Sequence, residues 1–181
     1  MHPILLKSDN LLLEFSRENG ELTKITSLLS SWTIHRRAEL GLSWRLIVPI
    51  GPDLKNNPVH GEAQKLTFVD VTPDEITFVW NGVLSQRAGF LDIKVTQTIR
   101  LENGQAIWYT AVENHSPYVI ESVYSPYIGD LTPPEHSDRF ETFYASYNSA
   151  LSMRLWPEFV DYCGNWGFDY ASQIIKGVAE A

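Results

Sequence analysis

Three stretches late in the chain bring aromatic rings and carboxylates together at close spacing. Tyr124, Ser125, Pro126 and Tyr127 run on to Asp130. Trp156, Pro157 and Glu158 come next, then Asp161, Trp166, Asp169 and Tyr170. Sugars present C–H faces that stack on aromatic rings and hydroxyls that bind carboxylates, so this is the composition a carbohydrate site needs. The candidate ligand-binding residues are Tyr127, Asp130, Trp156, Glu158, Trp166, Asp169 and Tyr170. Glu158, Asp161 and Asp169 would also offer the carboxylate pair of glycosidic chemistry, whose separation decides a retaining or inverting outcome. The plainer alternative is that the rings fill a core or form a docking surface, and that three acids on a loop-rich stretch are solvated. On that alternative no residue here is catalytic.

Other chemistries find little support. Nucleotide-binding glycine loops, the nucleophile elbow and the paired-histidine zinc motif are all missing from the sequence. The five histidines are scattered without paired ligand spacing, and Cys163 is the only cysteine. Neither a metal nor a cofactor is therefore expected, and an internal disulfide is impossible. The net charge of −8 would repel a phosphate backbone, and no basic stripe reverses it. No apolar run approaches the roughly 20 residues that span a bilayer. The N-terminal MHPILLKSDNLLLEF carries an early Lys and an Asp and does not read as a signal peptide, so a cytoplasmic protein is expected. Asn114, His115 and Ser116 form a glycosylation acceptor pattern that matters only in a secreted protein; a polar turn is the simpler reading.

The elements that must position these residues are strands. Asn103-Gly104 joins Leu91–Leu101 to Gln105–Glu113 and supplies the two positive φ angles of a type I′ turn. A two-residue loop places Val95 opposite Val112, Ile99 opposite Trp108 and Leu101 opposite Ala106 on one apolar face. Lys94 then meets Glu113 on the other face. A third strand is expected to follow, running into the proline-broken Tyr124–Tyr127 segment. Around Asn19-Gly20, a three-residue loop with a left-handed Gly20 pairs Leu13 with Ile25 and Glu14 with Lys24. Leu42–Ile50 alternates like a half-buried strand, whereas 49–62 is rich in Gly, Pro and Asn and predicts a long loop. Two short strands, Gln64–Val71 and Glu75–Trp80, are expected to end at Asn81-Gly82. Arg139–Tyr147 and Leu151–Trp156 could be further strands, and 171–181 a tail or the start of a linker.

With 44% hydrophobic and 12% aromatic residues over 181 positions, one domain over 1–170 is expected, large enough to bury roughly 70% of its unfolded surface. The fold class predicted is all-β, an antiparallel β-sandwich with little helix.

The run IWYTAVENHSPYVIESVYSPYIGDL resembles the central strands of the galactose mutarotase-like β-supersandwich. LSMRLWPEF and GNWGFDY are similar to segments that follow in supersandwich domains at the N-terminus of certain glycoside-hydrolase-like proteins, over roughly residues 5 to 170. There the catalytic acids lie in a barrel downstream. The resemblance thus implies a non-catalytic carbohydrate-associated module that binds sugar weakly or braces a catalytic neighbour. Aldose epimerases of this fold use a histidine acid and a glutamate base. Asn114, His115 and Ser116 match the start of the family's histidine motif, but Pro117, Val119 and Ile120 depart from its continuation, and Ser125 replaces a second histidine. Mutarotation, with His115 as acid and Glu158, Asp161 or Asp169 as base, is the alternative function. A purely structural or oligomerising β-domain is the third.

Overall fold

A computed structural model describes residues 2–31, 33–35, 43–52 and 57–127. These form eleven strands, β1 (Ile4–Lys7), β2 (Leu11–Phe15), β3 (Leu22–Ser27), β4 (Thr33–His35), β5 (Arg45–Ile47), β6 (Pro58–His60), β7 (Phe68–Val71), β8 (Glu75–Ser85), β9 (Gly89–Glu102), β10 (Gln105–Asn114) and β11 (Ser122–Tyr124), with one 3₁₀ turn at Gly61–Ala63. All pairings are antiparallel, in three sheets ordered β1-β2-β3-β4, β10-β9-β8-β7 and β11-β5-β6. The molecule is all-β and sandwich-like, as expected.

The hairpin around Asn103-Gly104 has the register its apolar pattern dictates. Val95 pairs with Val112, Ile99 with Trp108, Leu101 with Ala106 and Lys94 with Glu113. Asn103 and Gly104 take φ of 51° and 75°, the left-handed values that a type I′ turn requires. The first hairpin also follows expectation, with Leu13 opposite Ile25, Glu14 opposite Lys24, and Gly20 at φ 74°.

One apolar cluster holds the sheets together. Phe15 on β2 packs against Phe78 on β8 at 5.3 Å and Trp108 on β10 at 6.0 Å, joining the two four-stranded sheets. Trp44, just before β5, meets Trp80 on β8 edge-on at 5.5 Å and ties in the third sheet. Burial of these large rings removes the most apolar area per residue from water, so they anchor the core.

Three expectations need correction. Of the strand predicted over 42–50, only β5 is strand among the described residues, and 43–48 is buried on both faces rather than one, because Trp44, Leu46 and Val48 join the core while Tyr124 and Tyr127 cover Arg45. The predicted loop 49–62 contains β6, whose Pro58 sits at the strand start on a sheet edge, where a missing N–H costs no ladder bond. Asn81-Gly82 does not end a strand. It forms a bulge within the eleven-residue β8, with Gly82 at φ 79° and the Phe90 ring where a Cβ would stand. The third strand follows as expected: β11 runs into the Ser125-Pro126 segment and pairs with β5. Residues 139–147, 151–156 and 171–181 lie outside the described residues.

Candidate functional site

Of the seven candidate ligand-binding residues, Tyr127 is described; Asp130, Trp156, Glu158, Trp166, Asp169 and Tyr170, with Asp161, lie outside the described residues. Tyr127 stands in a cluster whose other members the sequence did not single out as a group. The β11-β5-β6 sheet places Tyr124, Arg45 and His60 in one cross-strand row, and directly paired residues share a face. The Arg45 guanidinium carbon lies 4.4 Å from the Tyr124 ring centre and 4.7 Å from that of Tyr127. The two rings meet edge-on at 6.3 Å.

Arg45 is 5% exposed, and a buried cation needs compensation. Part of it comes from the two ring faces and part from a hydrogen bond that Arg45 Nη1 donates to Tyr127 Oη at 3.3 Å. The Tyr127 amide is fixed in turn by donating to the Ser43 carbonyl at 3.1 Å. Beneath this segment, which includes a cis Ser125-Pro126 bond, Gln97 Nε2 donates to Ser125 Oγ at 2.8 Å, and Ser125 Oγ also bonds the Thr110 hydroxyl. The tyrosines are therefore held from both ends.

At the other end of the row, His60 Nδ1 lies 3.3 Å from Glu62 Oε1. Asn19 Nδ2 donates to the Glu62 carbonyl at 2.8 Å, and the Gln64 amide donates to the His60 carbonyl at 3.0 Å. This leaves the half-exposed imidazole oriented by a carboxylate, beside a guanidinium and two phenol rings. With Arg45 buried, the row presents outward the imidazole and the partly exposed phenols, that is, hydrogen-bonding groups and aromatic rings along one line.

His115 is placed differently. It is exposed in the turn after β10, where its amide donates to the Asp92 carbonyl. Asn114 Oδ1 accepts from both the amide and the hydroxyl of Ser116, at 3.0 and 2.7 Å, so Asn114, His115 and Ser116 form the polar turn that was expected. Among the described residues, no three His, Cys, Asp or Glu converge as metal ligands, and no helix is long and apolar enough to cross a membrane.

One usable signal for this cluster is visible in the sequence, the paired Tyr124 and Tyr127. Arg45 alternates with apolar residues and looks like an outward-facing charge. His60 sits in a stretch that composition marks as loop. Only the pairing of β5 with both β6 and β11 brings them together. No protein-family model matches the chain, and no curated protein sequence matches it.

Proposed function

We propose that the chain is a non-catalytic carbohydrate-binding β-sandwich domain of the supersandwich type, serving as a module beside a glycoside hydrolase catalytic domain. The observation that carries the sugar-binding part is the Tyr124–Arg45–His60 row with Tyr127 above it. Sugars are recognised by aromatic faces combined with a few fixed polar groups, and this row supplies both on one sheet face. The neighbouring catalytic domain rests on sequence resemblance alone. Isothermal titration with neutral mono- and oligosaccharides tests the binding, with Tyr124→Ala and His60→Ala as partners. Saturable binding weakened by both substitutions supports the reading; absence of heat across a broad panel refutes it.

The His60–Glu62 contact favours a second reading, aldose mutarotation with His60 rather than His115 as the proton-transfer group. Polarimetry separates the two. A binding module leaves the anomerisation rate of α-glucose and α-galactose at the buffer value, whereas a mutarotase accelerates it and loses the acceleration on His60→Ala.

A further inference from the structure

The outward face of the β10-β9-β8-β7 sheet carries two adjacent rows with an unusual composition. One reads Ala111, Thr96, Val79, Phe68 across the four strands, and the next reads Tyr109, Thr98, Thr77, Asp70. Asp70, at one edge, is the only charge among these eight positions. Phe68 is 57% exposed and Tyr109 54%, and they stand on opposite edge strands. Between them lie small side chains and threonines, with the Thr77 and Thr98 hydroxyls bonded to each other at 3.0 Å. The rows beyond are charged but closed on themselves. Arg100 pairs with Glu75 and Glu102 on one side, and Lys94 with Glu113 on the other.

We propose that this strip is a second carbohydrate surface, one that takes an extended neutral polysaccharide lying across the strands. Its outermost strands are three spacings, or about 14 Å, apart, a distance that a few linked sugar residues cover. Two rows of four positions offer on the order of 270 Å², against about 800 Å² per partner for a stable protein interface. Exposed Leu84 and Phe90 lie further along the same face, but the ion-paired Lys94–Glu113 row separates them from the strip, so a second copy finds no continuous apolar surface here. An anionic polymer or membrane finds no cation in either row, and the ammonium and guanidinium groups nearby already hold carboxylates. A neutral glycan needs none: its C–H faces fit Phe68, Tyr109, Val79 and Ala111, and its hydroxyls fit the threonines. This surface is distinct from the Arg45 row and does not depend on it.

Affinity electrophoresis through gels containing mixed-linkage β-glucan, xylan, galactomannan or amylose tests the proposal. At least one polymer should retard the protein. Phe68→Ala and Tyr109→Ala should each weaken that binding about 2- to 10-fold, the effect of one stacked ring, while Tyr109→Phe keeps it. Both positions are exposed, so circular dichroism should show the parent fold. Monosaccharide binding at the Arg45 row should be unchanged in all three variants, which separates failure of one surface from failure of the other. Retardation by none of the four polymers overturns the proposal, as does retardation that survives the double Phe68→Ala, Tyr109→Ala variant. Concentration-dependent dimerisation lost in that double variant would assign the face to self-association and overturn it equally.

Discussion

Replacing Gly104 by valine probes the turn that sets the register of the two longest strands. Gly104 has φ 75°, where a Cβ crowds the following carbonyl at a cost of about 1–2 kcal/mol for an L-residue, with β-branched side chains at the upper end. Its new Cβ would stand 2.9 Å from Asn10 Nδ2, the movable end of a side chain, so this contact relaxes at little cost. Against the strain, valine restricts the unfolded chain and returns about 0.4–1 kcal/mol. The net expectation is a loss of about 1 kcal/mol, or about 2–4 °C in midpoint for a chain of this length. Urea and thermal unfolding followed by tryptophan emission measure it. Gly104→Asn is the control, because asparagine tolerates left-handed φ and should lose less than half as much. Equal midpoints for Val and Gly would refute the turn geometry. An asparagine loss equal to that of valine would shift the cause from φ to the Asn10 contact.

Other outcomes follow from the same structure. The hydrogen bond from Lys94 and its charge hold the Glu113 carboxyl below the ordinary glutamate range. A depressed folded value means the contribution is present above the unfolded pKa and fades as pH falls through the folded one. Side-chain NMR should therefore show Glu113 titrating below the ordinary glutamate range, and Lys94→Met should move it up. Asn57 is buried and bonds both the Val48 carbonyl and Ser85 Oγ, so Asn57→Ala should lose about 1–3 kcal/mol in urea denaturation; a loss under half of that would mean the vacated groups find other partners. In polarimetry, His115→Ala should match the parent, since His115 lies in an exposed turn; a rate that depended on it would restore His115 as the acid.

How far the fold could be read from sequence depends on how strongly each local signal was constrained. The same dipeptide, Asn-Gly, occurs three times with three outcomes. At Asn103-Gly104, apolar alternation on both flanks left one register, and the turn was legible. At Asn19-Gly20, the pairing of Leu13 with Ile25 selected the longer loop. At Asn81-Gly82 a strand end was expected, but a glycine bulge makes the same local demand, and Gly82 takes φ 79° within β8. The choice was made by β9, which continues the ladder to Ser85 and lays Phe90 over Gly82. The site was less legible for a related reason. Arg45 and His60 become neighbours through a three-stranded sheet whose members are three residues each, too short to show periodicity. A charged residue buried under a tyrosine from 82 positions away has no local signature at all.

The central claim is that sugar meets this protein at the Tyr124–Arg45–His60 row. Titrating the best-bound neutral saccharide into ¹⁵N-labelled protein tests it directly. Saturable shifts should concentrate on the amides of Arg45, His60, Tyr124 and Tyr127, with the Asn114–Ser116 turn unmoved. Saturable shifts elsewhere with this row silent, such as at Trp156, Trp166 and Tyr170, would contradict it.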